Sequence, residues 1–224
     1  MPVFFVSLWL FAVHLLTGVP PARDQDWMSR FDVSSSELGP TGRNDFFILE
    51  PGHTSTYESG SERLVISVLA DTRQVDGVTT RVVEERETKG GRLIEVSRNY
   101  FAISAKTRDV FYFGEEVDIY RDGKVVDHEG AWRSGENGAR FGLMMPAEPK
   151  LSQRYYQEMA PKIAMDRAAI VGLRAVVKTP AGEFKDCVRV EETTPLEPGA
   201  REYKYYARGV GLVQDGSLKL VKRP

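Results

Sequence analysis

The chain has 224 residues, which is long enough for one domain with a sizeable core. Its 30 basic and 32 acidic residues leave a net charge of −2, which argues against the concentrated basic surface of a nucleic-acid-binding protein. The single cysteine, Cys187, excludes an internal disulfide and a cysteine-based metal cluster. The 10% aromatic content fits a sheet protein better than a helical bundle.

The N-terminal segment predicts export. Residues 3–19 are almost entirely apolar, and Arg23 is the first charged residue, which is typical of a signal peptide over residues 1–22. We therefore expect a periplasmic or extracellular protein. No Lys or Arg precedes the apolar run, and its length approaches the ~20 residues that span a bilayer, so an uncleaved membrane anchor formed by residues 3–19 is the alternative. A membrane contact is predicted only in that case.

The rest of the chain predicts a linker followed by a β-domain. Polar residues 23–44 lack periodicity and are predicted to be a flexible linker. Residues 45–224 alternate strand-like runs with glycine turns, which favours an antiparallel meander of about ten short strands. The predicted fold class is mainly β, a single domain whose meander forms a strongly curved sheet or partly open barrel with few short helices.

Turn residues give the most local detail. Asp76-Gly77 and Asp122-Gly123 each lie between strand-like runs and predict two-residue hairpin turns. Residues 152–160 are ambiguous between helix and strand, and residues 165–169 have some helix propensity. The most distinctive stretch, residues 109–150, combines aromatic runs, glycine turns and an apolar Met-Met-Pro segment, and it contains no recognisable catalytic motif.

Five segments carry a family resemblance: FFILEPGHTSTY (46–57), VFYFGEEVDIYRDGKVVDHEGAW (110–132), MMPAEPK (144–150), TPAGEFKDCVRVEETTPLEPG (179–199) and YKYYARGVGLVQ (203–214). In this order they resemble a family of uncharacterised secreted proteins, common in bacteria, with motifs close to FPLxPGxxWxY, WYFGED, GKVV, MPAxP and KYYAPGVGLV. The chain departs from these motifs at Thr56 and Arg208. The resemblance implies an exported compartment and an approximate fold, and it carries no catalytic residues. A looser similarity connects the last two segments with curved-sheet envelope proteins, including lipoprotein carriers.

Aromatic and methionine side chains form the candidate ligand site. On the concave face of a curved sheet such side chains can bind an apolar or acyl ligand. The candidates are Trp132, Met144, Met145, Tyr155, Tyr156, Tyr203, Tyr205 and Tyr206. The alternatives are that they form plain sheet core, or that the tyrosine pairs contact an envelope protein.

The sequence offers little support for metal or nucleophile chemistry. Adjacent strand residues point to opposite faces, so Asp127, His128 and Glu129 cannot converge on one ion without a bend. A Cys187–His128 pair would lack an oxyanion loop. No cofactor and no metal are predicted.

Three hypotheses about function follow. The first is a non-enzymatic secreted or envelope domain that binds an apolar ligand or a protein partner on its curved sheet. The second is a structural module without a ligand. The third is a carboxylate-dependent hydrolase, which requires two of Glu129, Glu148 and Glu158 in one cleft with shifted pKa values.

Overall fold

The computed structural model describes residues 27–223, so the predicted signal peptide lies outside the described residues. These residues form eighteen β-strands, and their only helical segment is the 3-10 turn Ser35–Glu37. The predicted mainly β fold is confirmed. The strands are more numerous than the sequence predicts, because short pairings of two residues also occur at the rims of the sheet.

The strand bounds of the first half are β1 Leu38–Gly39, β2 Arg43–Asn44, β3 Phe47–Ile48, β4 Thr54–Ser59, β5 Glu62–Val75, β6 Val78–Lys89, β7 Arg92–Ser104, β8 Val110–Arg121 and β9 Lys124–Asp127. Those of the second half are β10 Trp132–Arg133, β11 Arg140–Met145, β12 Arg154–Tyr156, β13 Glu158–Met159, β14 Arg167–Thr179, β15 Gly182–Thr193, β16 Glu202–Ala207, β17 Gly211–Asp215 and β18 Leu218–Lys222.

One antiparallel sheet of sixteen strands dominates the structure. Its order is β12-β14-β15-β16-β17-β18-β4-β5-β6-β7-β8-β11-β13, with β1 added to β7 and with β9 and β10 added to β8. The two edge strands, β12 and β13, are separated in sequence only by Gln157. One short segment therefore carries both edges of the sheet, which curves into a nearly closed, barrel-like shape.

Glycine 142 allows this seam to form. A Cβ atom added to Gly142 on β11 would lie 2.3 Å from the carbonyl oxygen of Gln157 and 2.5 Å from that of Tyr156. Only glycine lets the two backbones approach so closely.

The two predicted hairpin turns are present. Asp76 and Gly77 have φ angles of 49° and 74°, and Asp122 and Gly123 have 51° and 75°. Positive φ at both central positions is the requirement of a type I′ turn, whose twist matches that of the flanking strands.

A buried arginine holds the largest irregularity of the β5–β6 pair. The register shifts between Val68 and Thr72, which frees several carbonyl groups of β5. The side chain of Arg81, on β6, is buried and donates to the carbonyl oxygens of Pro40, Leu69, Ala70 and Asp71 and to the Thr41 hydroxyl. Arg81 thereby fixes both the bulge and the segment that precedes the first long strand.

Part of the predicted linker belongs to the fold. Trp27 is buried, and Leu38 and Gly39 pair with Ser104 and Ile103 of β7. The folded region therefore begins before Asp45.

The helix propensity of residues 165–169 is overridden, because β14 begins at Arg167 and pairs with β12 on one side and β15 on the other.

The apolar side chains form one large core and a smaller second core. The large core includes the ring stack of Phe101 on Tyr112, with centroids 4.7 Å apart, together with Phe111 and Met145. The second core joins the β14–β15 hairpin to β4, β5, β17 and β18, and its members include Tyr57, Phe184, Cys187, Val213 and Leu220.

Candidate functional site

The inner face of the sheet carries an unusual set of charged side chains. Cross-strand partners share a face of a sheet, and the register pairs Glu87 with Glu95, Glu192 with Glu202, and Lys204 with Asp215. We call the whole set the acidic interior. It consists of Glu85, Glu87, Glu95, Glu115, Glu158, Asp166, Glu192, Glu202, Lys204 and Asp215.

Lys204 organises one wall of the acidic interior. Its Nζ atom lies 2.9 Å from Glu192 and 3.5 Å from Asp215. The three side chains are only 12%, 13% and 15% exposed, so this ion triad is enclosed. Gln157, at the seam, donates a hydrogen bond of 2.8 Å to Glu192 and so connects the closing segment with the triad.

The opposite wall is formed by strands β6 and β7. Burial raises the pKa of Glu85 to about 7, and the positive charge of Lys204 partly opposes this rise. Burial, followed by repulsion from Glu95 and Glu85, raises the pKa of Glu87 to about 8. Because Lys204 and Asp215 influence Glu85 although their strands are not its neighbours, the two walls face each other across the interior.

A third group of acids lies next to the seam. Burial raises the pKa of Glu115 to about 8, that of Asp166 to about 6 and that of Glu158 well above its usual range. Glu158 and Asp166 are within hydrogen-bonding reach, and their contact raises the pKa of Glu158 while it lowers that of Asp166. The contact therefore favours a proton on Glu158 over one on Asp166.

A cavity of about 160 Å³ reaches this third group from outside. Glu115 and Trp132 line it, and Arg133 of β10 forms an ion pair with Glu116 beside it. Apolar walls and a polar rim complete the lining, with Ala131, Ala139, Ala160, Pro161 and Ile163 in the walls and Glu116, Arg133, Glu136 and Asn137 at the rim.

Two buried polar atoms next to the cavity lack partners. The indole N–H of Trp132 lies close enough to Glu158 to lower its pKa, which opposes the effect of burial. Within residues 27–223, however, neither Nε1 of Trp132 nor Oε2 of Glu158 has a partner at hydrogen-bond geometry. Both residues are less than a tenth exposed. Unsatisfied buried polar groups are rare and costly in folded proteins, so these two atoms indicate a candidate functional site.

Four of the predicted ligand residues are buried in the large apolar core, namely Trp132, Met145, Tyr155 and Tyr206. Glu192 acts on the pKa of both tyrosines. Half-buried Met144 packs against the same core with its sulfur 3.6 Å from the Gln157 amide.

The other three tyrosines lie elsewhere. Tyr203 and Tyr205 alternate with inward-facing Lys204 and Tyr206, and the guanidinium of Arg189 lies over their rings at 4.0 and 5.8 Å. Tyr156 packs with Trp27 in a separate small cluster. The structure therefore does not gather the predicted residues in one place.

Glu158 alone among the three predicted hydrolase carboxylates lies in the interior. Glu148 is exposed and Glu129 is half-buried, whereas Glu158 is buried. The partner that does reach Glu158 is Asp166.

The other two candidates take ordinary environments. His128 is 68% exposed, and its Nδ1 lies 2.7 Å from the carbonyl oxygen of Val117. Cys187 is fully buried in the second core, where burial raises its pKa to about 11.

Sequence reasoning missed most of the acidic interior. Glu85 and Glu87 repeat at the strand period of two, and Glu95 follows across a Gly-Gly turn, so their common face could have been noticed. Glu84 and Arg86 carry charge on the other face as well. The pattern therefore gives no indication of which face is enclosed.

Two further findings concern residues 27–223 alone. No group of three or more His, Cys, Asp or Glu side chains in this part of the chain is arranged to hold a metal ion. The same residues contain no helix with the length and apolar character of a membrane span.

Comparison with known proteins gives one structural similarity. No protein-family model and no curated protein matches the chain. The fold is similar to the crystal structure of a "putative lipoprotein" from Parabacteroides distasonis, with 11% sequence identity and a TM-score of 0.41 over 82% of this chain and 100% of the other.

Proposed function

We propose that the chain is an exported, non-enzymatic binding domain that takes up a small polar ligand in its acidic interior. Export is supported by the apolar run at residues 3–19. Binding is supported by the nearly closed sheet, whose interior contains carboxyl groups in addition to its apolar cores.

The acidic interior is the observation that carries the proposal. Burying carboxyl groups costs free energy, and well-packed apolar side chains of similar volume usually give equal or better stability. Lys204 forms ion pairs with Glu192 and Asp215 inside this set, while burial raises the pKa values of Glu85 and Glu87. Clusters of perturbed acids in an enclosed space are typical of functional sites.

The lining also bears on the class of ligand. An apolar or acyl ligand, which the sequence suggests, would displace water from these carboxyl groups without replacing its hydrogen bonds. A polar ligand would replace them. The hydroxyl of Tyr155, fully buried and without a hydrogen-bond partner among residues 27–223, offers a further polar contact.

The proposal is tested by native mass spectrometry of the full chain, purified from the compartment to which its host exports it. We expect a bound small polar molecule that is released by denaturing extraction. The double substitution Glu85→Gln and Glu192→Gln, on opposite walls, should lower its occupancy at least tenfold. The exposed Glu183→Gln on β15 is the control and should keep it.

Two results would contradict the proposal. One is an unoccupied protein whose thermal unfolding is unchanged by a panel of small polar compounds. The other is a bound lipid that survives the double substitution, which would favour the apolar ligand.

A second candidate function is hydrolysis by acid and base catalysis, favoured by the Glu158–Asp166 pair. A protonated acid beside a carboxylate is the arrangement that general acid–base catalysis requires. Asp166→Asn should then abolish turnover of a hydrolysable substrate while the affinity for a non-hydrolysable analogue persists. Substrate bound by the wild-type chain but never turned over would exclude this function.

A further inference from the structure

The cavity beside Trp132 has a charged floor, apolar walls and a polar rim. Its floor includes Glu115, which is 7% exposed, and its apolar wall includes Pro161 and Ile163. The volume of about 160 Å³ is similar to that of engineered cavities of about 150 Å³ that hold benzene. The cavity therefore suits a ligand of about six non-hydrogen atoms.

The Glu115 carboxyl group on this floor has no cationic partner among residues 27–223. Among residues 27–223, no ion pair involves Glu115 or Glu158, and the nearby acids Glu85, Glu95 and Asp166 repel rather than neutralise Glu115. Arg133, at the rim, is paired with Glu116. The ionised form of a carboxyl group in this position is stabilised most by a cation that enters the cavity.

The nature of that cation follows from the remaining contacts. No three side chains among the described residues converge as metal ligands, and the walls are apolar. Both features favour an organic cation over a metal ion. The unpartnered N–H of Trp132 supplies an independent observation, because it faces Glu158 and would gain a charged acceptor if a nearby cation kept that carboxyl ionised.

We propose that this cavity binds a small organic ammonium ion, whose charge is met by the Glu115 carboxylate and whose alkyl part lies against Pro161 and Ile163. This inference rests on the proposed binding function and specifies the class of its ligand.

Binding of this kind has a defined pH dependence. The groups that face Glu115 are Glu85, Glu95, Tyr112, Glu158 and Asp166. Burial and repulsion from Glu95, Glu85 and Asp166 raise the pKa of Glu115 to about 8, although the hydrogen bond with Tyr112 acts in the opposite direction. An ammonium ion binds the ionised form, so Glu115 must release its proton. Affinity should rise by up to about tenfold per pH unit between pH 6 and pH 8.

The test is titration calorimetry of the full chain with n-butylammonium chloride. Butan-1-ol and sodium butyrate are the neutral and anionic probes of similar shape. We expect butylammonium to bind at least tenfold more tightly than either. Repeating the titration at pH 7 in phosphate and in Tris should give different apparent enthalpies, because the proton released by the protein is taken up by the buffer.

Two variants locate the site. Glu115→Gln preserves shape and removes the charge, and it should abolish both the binding and the buffer-dependent enthalpy. Glu183→Gln is the control, since Glu183 is an exposed carboxylate on β15 that belongs neither to the acidic interior nor to the lining of the cavity. It should change the affinity for butylammonium by less than threefold.

The inference is overturned if butan-1-ol binds as tightly as butylammonium, if Glu115→Gln binds butylammonium unchanged, or if wild-type binding releases no proton. Should these results coincide with a neutral polar molecule found by native mass spectrometry, the proposed function stands and the ammonium ligand alone is rejected. If the full chain binds neither butylammonium nor any small polar molecule, the ammonium ligand and the proposed function are both rejected.

Discussion

The two ends of the inner sheet face are built from the same strands and have opposite chemistry. On β7, Phe101 lies in the apolar core and Glu95 in the acidic interior; on β15, Val188 and Glu192 make the same contrast. Backbone pairing is continuous through both ends, so the hydrogen-bonded sheet does not depend on the side chains inside it. The apolar end therefore stabilises the fold, whereas the acidic end can carry a function at a cost in stability.

The largest effect is expected in the apolar end. Phe101→Ala removes a ring that stacks on Tyr112 at 4.7 Å and packs at a tilted angle against Phe47 at 4.9 Å, and it leaves a cavity. The free energy of unfolding should fall by about 3–5 kcal/mol, as measured by urea denaturation. Val126→Ala, at an exposed site on β9, should change it by less than about 0.5 kcal/mol. If Phe101→Ala lowers the free energy of unfolding by no more than the control does, the apolar end is not the source of stability.

The next effect concerns the ion triad. Lys204→Met leaves Glu192 and Asp215 without their cation, and the free energy of unfolding should fall by about 3 kcal/mol at pH 8. At pH 5 the loss should be smaller, because burial raises the pKa of Asp215 and this carboxyl group can take up a proton. Lys219→Met, an exposed lysine on β18, is the control. Equal losses at both pH values would mean that Lys204 acts through packing alone.

A pH effect on the wild-type chain should be of intermediate size. The pKa values of Glu85, Glu87, Glu115 and Glu202 are raised to about 7, 8, 8 and 7, so the folded state binds more protons than the unfolded state in this range. Their contribution is complete below about pH 4.5 and is lost as the pH rises through 7 and 8. Urea denaturation should give a free energy of unfolding roughly 2 kcal/mol lower at pH 9 than at pH 5. Greater stability at pH 9 would contradict an enclosed acidic interior.

The smallest effect is a gain. Glu87→Gln removes one carboxyl group that is ionised at pH 9 but protonated at pH 5. The variant should be more stable than the wild-type chain by about 1 kcal/mol at pH 9 and unchanged at pH 5. Glu183→Gln, which lies on the exposed outer surface, should be neutral at both pH values. A gain shared by both variants would indicate a general charge effect.

The candidate site could be predicted from the sequence only in part. The aromatic character of Trp132, Tyr155 and Tyr206 predicts an inward position, and all three side chains are buried. Tyr203 and Tyr205 have the same character, but each is one residue away from the inward-facing positions, and a shift of one residue reverses the face. Glu85 and Glu115 were missed because an acid in a strand is usually solvated, and nothing near them in sequence indicates enclosure.

Local sequence is sufficient for the β class and for the hairpins at Asp76-Gly77 and Asp122-Gly123, because turn geometry depends on the φ angles that adjacent residues can adopt. Tertiary structure alone decided that residues 154–159 join both edges of the sheet, and that Glu85 faces Lys204 although more than a hundred residues separate them. The pKa of a carboxyl group depends on its burial and on the charges that surround it in space. Those surroundings come from distant strands, and they exist only when the sheet has closed.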